Sequence, residues 1–193
     1  ENGKRCGAVE AFLEPVMSNS LLTIQTGVSV SKIVILQGRA QGVEYRQDGK
    51  TMTANASAEV IVTAGAFGTP KLLMLSGIGP AEHLTKLGIK IESDLAGVGE
   101  NLMDHHEVPI VAATNGRYGY FGEDRGLRMI RNGLQYLMFG NGPVATNGCE
   151  TCAFINPIDP EGEPSLQLYC VPTVYLDRDV MGVEPTNGVT LNS

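Results

Sequence analysis

Hydrophobic positions along the chain change period several times, and each change marks an element. Residues 8–14 (AVEAFLE) carry apolar side chains at helical spacing, and Pro15 is expected to close that helix. Residues 21–25 read as a short apolar strand. Residues 28–36 (VSVSKIVIL) are rich in β-branched side chains and alternate at first, which predicts a strand with one covered face. Gly38 marks a turn, and residues 40–47 predict the returning strand. Asp48-Gly49 is a hairpin signal, and residues 51–56 pair back to complete a β-meander. The run at 58–63 (AEVIVT) is continuously apolar at its centre, as in a strand covered on both faces. It ends in the small residues Ala64, Gly65 and Ala66. Thr69 as N-cap and Pro70 at the first helical position predict a helix running to Gly77. A second short helix follows over 81–87, closed by Gly88.

Residues 94–106 form a glycine-punctuated polar loop, and the texture changes near 105–108. Residues 108–114 predict a strand. A Gly- and Tyr-rich loop then leads to an amphipathic helix over 127–139, with Leu127, Ile130, Leu134, Leu137 and Met138 on one side. Strands are expected at 151–155, 165–171 and from 188 onward. The fold class is α+β (mixed α/β), in two partial domains, residues 1–106 and 107–193.

Composition narrows the function classes. The net charge of −7 disfavours nucleic acid or an anionic membrane surface as partner. No apolar run is long enough to span a bilayer. Twenty-four glycines imply many tight turns and close backbone approaches, as where a ligand lies against the main chain. Cys149 and Cys152 form a CxxC, but Cys6 and Cys170 supply no second pair for zinc. The expectation is reduced thiols in a packed interior, no metal site and a cytoplasmic, reducing compartment. Both termini read as cut from something larger.

One stretch carries a specific resemblance. Residues 65–79 (GAFGTPKLLMLSGIG) resemble the second signature of the glucose–methanol–choline oxidoreductases at every defined position. Residues 97–105 (GVGENLMDH) are similar to that family's GVGxNLxDH stretch. Residues 3–15, 26–33 and 142–154 resemble further segments in family order. The resemblance implies a partial FAD-binding domain followed by a partial substrate domain with a largely antiparallel sheet. It implies an enzyme that transfers a hydride from an alcohol to FAD, the substrate being a small-molecule alcohol. The family's GxGxxG phosphate cradle and its catalytic His are not in this sequence. The piece alone is therefore expected to be inactive and to lack FAD, with unpaired sheet edges that favour a homodimer. Two rival readings are a flavin-containing hydroxynitrile lyase of the same fold and a non-catalytic binding module.

The site residues that the resemblance implies are Val30, Ala64, Gly65, Asn101, Asp104 and His105 around the flavin, and Glu150 on the substrate side. Val30 would act through its backbone; the alternative is an ordinary sheet residue. Ala64 and Gly65 would also serve tight strand–helix packing. No residue is assigned as catalytic: His105 and His106 lie in the flavin's surroundings, and His83 is expected on the exposed face of a short helix. Glu150 has two readings. It could attract a cationic substrate such as a quaternary ammonium alcohol, or it could orient neighbouring backbone.

Overall fold

The computed structural model describes residues 3–174 and 186–193. They form two compact units: Ser20–Asp104, and a second that combines the residues before and after it.

The Ser20–Asp104 unit is built on a three-stranded antiparallel meander of β1 (Ser29–Leu36), β2 (Arg39–Gln47) and β3 (Lys50–Asn55). Both of its turns place two consecutive residues in the left-handed region, Gln37 with Gly38 and Asp48 with Gly49. That geometry matches the right-handed twist of the strands and closes the hairpins tightly. Register slips between Val30 and Lys32, so Ser31 is the extra residue of a bulge. Its hydroxyl is held by the Glu44 carbonyl at 3.1 Å and the Glu44 carboxylate at 3.0 Å.

Two expectations for this unit are corrected. Residues 21–25 and 58–63 form no strand. An apolar strand covered on both faces needs a neighbour on each edge; among the described residues the backbone ladder from β2 stops at the Ala56 N–H to Gln41 carbonyl bond, and only the Arg39 side chain reaches the Ala58 carbonyl. Ile61 is accordingly 76% exposed. Helix α1 spans Gly65–Leu75 and so begins four residues before the expected cap. Gly65, at φ 81°, makes the turn, and Pro70 lies inside the helix. Thr69 still serves the helix start, because its hydroxyl accepts the Ala64 N–H at 3.1 Å.

The end of α1 fits the sequence reading. Gly77 is left-handed, and a Cβ there would lie 2.3 Å from the Lys90 carbonyl oxygen, so only glycine fits. Beyond it, β4 (Ile78–Gly79) pairs in parallel with β5 (Ser93–Asp94) around the short helix α2 (Ala81–Lys86). Leu84 of α2 is fully buried, and Ile33 and Tyr45 are the other buried large hydrophobics among the described residues. His83 is exposed, as expected.

The second unit opens with one irregular helix, a π turn over Val9–Leu13 running into a 3-10 turn over Glu14–Val16. Pro15 lies inside that second turn rather than ending the first, since a first-turn proline gives up no helical N–H bond. A four-stranded antiparallel sheet follows, in the order β6-β9-β8-β7, from β6 (Ile110–Ala113), β7 (Thr151–Ile155), β8 (Leu166–Val171) and β9 (Gly188–Asn192).

Helix α3 (Gly126–Phe139) precedes the 3-10 turn Pro143–Ala145. Its apolar stripe faces outward: Leu127 is 85% and Leu137 80% exposed, while Asn132 is buried. Asn132 is held by the Glu123 carbonyl at 3.1 Å and the Glu123 carboxylate at 2.9 Å. No helix among the described residues is long and apolar enough to cross a membrane.

Candidate functional site

The family-like stretch builds a concave wall within the Ser20–Asp104 unit. Helix α1 and the loop 97–103 enclose a cavity of about 660 Å³, with Pro70, Met74, Gly97 and Asn101 among its lining. Pro70 has no N–H to offer the Ala66 carbonyl, so an acceptor inside the helix is released at this wall. Asn101 is in the left-handed region at φ 58°, uncommon for a non-glycine residue. A Cβ built on Gly97, a lining residue of this cavity, would meet no protein atom within 4 Å. Packing within the chain therefore does not require glycine at 97. Open space against bare backbone is what a flat cofactor needs.

Val30 lies on β1 opposite Tyr45, directly before the Ser31 bulge, and is 41% exposed. Bulges locally release ladder bonds and re-aim the strand, which leaves the backbone at this point less committed to the sheet. The strand is pinned three residues on. Ile33 donates its buried N–H to the Ser76 hydroxyl at 2.8 Å, and that hydroxyl donates to the Leu72 carbonyl at 2.6 Å. Ser76, part of the signature stretch, thus ties the meander to the end of α1. Sequence reasoning gave it no such role, although its place between a helix end and Gly77 was a signal.

The second unit holds Glu150. Its N–H donates to the Cys170 carbonyl at 3.0 Å and extends the β7–β8 ladder by one residue. One carboxylate oxygen, Oε1, accepts from both the Tyr120 and Thr146 hydroxyls. These bonds, the Thr146 one foremost, hold the Glu150 carboxyl below its ordinary range. Burial, followed by the bond to Glu150, pushes the Tyr120 phenol up. Glu150 also lines a cavity of about 980 Å³ that includes Lys4, Arg5, Tyr136 and Thr146. None of the ion pairs among the described residues joins Lys4 or Arg5 to Glu150.

A second tyrosine–carboxylate pair was not foreseen. Tyr169 of β8 donates its phenol to Glu107 Oε1, which raises the phenol's pKa. Tyr169 stands opposite Asn192 of β9, whose amide is almost fully buried without a well-formed hydrogen bond. The amide still lies near enough to pull the phenol slightly down.

Asp104 closes the first unit and His105 begins the later stretch of the second; both are exposed. The four cysteines are free, but Cys6, Cys149 and Cys152 are exposed and Cys170 is half-buried. The expectation of a packed interior is thus corrected: the CxxC runs onto β7, whose five residues are all exposed. Among the described residues no cluster of His, Cys, Asp and Glu could hold a metal.

The GMC oxidoreductase family profile matches residues 1–107. The chain belongs to the GMC oxidoreductases. Human mitochondrial choline dehydrogenase is 39% identical over 176 residues, which cover 91% of this chain and 30% of the relative. The oxygen-dependent choline dehydrogenase of Rhizobium etli is 38% identical over 170 residues, covering 88% and 31%. Among solved structures, a variant of Aspergillus oryzae RIB40 formate oxidase superposes over the whole chain, and 38% of its own, with a TM-score of 0.80 and 26% identity. An FAD-dependent oxidoreductase from Chaetomium thermophilum covers 80% of the chain, and 28% of its own, with a TM-score of 0.73 and 31% identity. The chain thus spans about 30% of the length of these curated relatives. Mixed helices and antiparallel sheets agree with the GMC fold, as the α+β reading expected.

Proposed function

We propose that the polypeptide carrying this segment is an FAD-dependent oxidoreductase that converts an alcohol to an aldehyde or ketone. The observation that carries the reading is the cavity between α1 and the loop 97–103, where Gly97 leaves open space against the main chain. FAD, when bound, supplies the hydride acceptor. Val30, Ala64, Gly65, Asn101 and Asp104, with His105 continuing the loop, are the residues that would hold it. The proton of the substrate hydroxyl goes to a base outside these 193 residues. Residues 1–106 serve as part of the FAD-binding domain and 107–193 as part of the substrate domain.

Glu150 marks the substrate wall. Its carboxylate is anionic near neutrality, as any glutamate's is, and the two hydroxyls on Oε1 favour that charged form, which suits a cationic alcohol. The choline dehydrogenases among the relatives support that choice. The open edge of β7 would serve a homodimer of the 193-residue piece, which sedimentation of that piece would reveal as a doubled mass.

Anaerobic addition of choline to the full-length flavoprotein tests the function. Bleaching of the flavin absorbance is the expected result. A flavin spectrum that no alcohol changes would overturn it. The 193-residue piece by itself is expected to purify colourless, and a stoichiometric yellow complex would overturn that part of the reading.

A further inference from the structure

Glu150 is exposed, and an exposed glutamate ordinarily samples several rotamers. Here three features restrict it. Its backbone is fixed by the bond to Cys170. Its Oε1 takes two hydroxyl donors, one from Thr146 four residues away and one from Tyr120 thirty residues away. Both donors are themselves anchored. Thr146 Oγ1 accepts the Gly148 N–H at 3.0 Å. The Tyr120 N–H donates to the Pro172 carbonyl at 2.7 Å, and the preceding Gly119 is pressed so close that a Cβ would lie 2.2 Å from that oxygen.

A carboxylate is an acceptor only, with two oxygens to satisfy. With both hydroxyls on Oε1, no hydrogen bond among the described residues reaches Oε2. We propose that Tyr120 is a positioning residue for substrate recognition: with Thr146 it clamps one oxygen of Glu150 so that the other presents a fixed negative charge to a cationic alcohol. The proposal rests on the reading of Glu150 as part of the substrate wall. The chemistry suits a quaternary ammonium group, which has no N–H to donate. Such a group cannot organise a loose carboxylate by hydrogen bonding and gains most from a charge already in place.

The test uses the full-length flavoenzyme with choline and its uncharged isostere 3,3-dimethylbutan-1-ol, flavin content serving as the check on folding. Tyr120→Phe keeps the ring and removes the hydroxyl. It is expected to raise KM for choline about threefold to tenfold, the scale of one hydrogen bond, while kcat and the isostere's KM stay within about twofold. Thr146→Val is expected to shift KM in the same direction, and it serves if Tyr120→Phe fails to load flavin. Glu150→Gln should abolish the preference for choline over the isostere, and adding Tyr120→Phe to it should then change nothing further.

Equal losses for both alcohols, or additive effects in the double variant, would reduce Tyr120 to a structural role and overturn the proposal. If Glu150→Gln leaves the choline preference intact, the reading of Glu150 fails and the proposal with it. A preference for an anionic alcohol, drawn by Lys4 and Arg5 of the same cavity, would also overturn it.

Discussion

At the residue scale, Ser76 and Gly97 separate what the chain needs for itself from what it offers to a ligand. Ser76 satisfies a buried strand N–H, so Ser76→Ala leaves the Ile33 donor unpaired. The expected cost is about 1–3 kcal/mol, read as a lower denaturant midpoint of the full-length protein. Gly97 answers to no neighbour. Gly97→Ala should leave stability within about 0.5 kcal/mol and yet weaken flavin retention during gel filtration. Unchanged flavin content would remove the cavity from the cofactor site. Tyr120 and Glu150 lie thirty residues apart, one in a Gly- and Tyr-rich loop and one before a strand. No period in the sequence joins them, which is why their pairing emerged only from the fold.

At the scale of elements, the meander was legible because its turns are local. Asp48-Gly49 dictates the same backbone in any context, and Gln37-Gly38 closes the other hairpin in the same way. Helix α1 was legible in kind and misread at its start. Thr69-Pro70 carries the composition of a helix entry, yet the left-handed Gly65 makes the turn first. The apolar run 58–63 failed as a strand for a different reason: pairing depends on partners, and sequence pattern shows only that a strand wants them.

Helix α3 shows the same limit. Its period identified the helix, while the buried contact is polar, Asn132 against Glu123. That bond, more than the Arg128 and Arg131 charges nearby, holds the Glu123 carboxyl below its ordinary value of 4.5. A folded pKa below the unfolded one gives stability that is present above the ordinary value and lost as pH falls through the folded one. Glu123→Gln should therefore flatten the acid side of the stability profile as pH falls below the ordinary carboxylate value of 4.5, measured by circular dichroism. An unaltered acid limb would place the anchoring of α3 elsewhere.

At the scale of the whole molecule, surface area decides most. Large apolar side chains such as Phe12, Leu21, Ile61, Phe67, Leu127 and Leu137 stand exposed. Faces of this kind are ordinarily covered. The 193-residue piece alone is expected to self-associate and to bind a hydrophobic dye strongly, and Leu137→Lys should reduce both. A dye-silent monomer in sedimentation would contradict this reading. The bond from Ile33 to Ser76 bears on the order of events during folding. It joins positions 43 residues apart, whereas each hairpin of the meander closes through a two-residue turn. Local hairpins form within about 1–10 μs, so the sheet stands before the helix end arrives to cap it. Loss of the Ser76 hydroxyl should then leave the rate of folding nearly untouched and speed unfolding: this contact is the last clasp to close and the first to open.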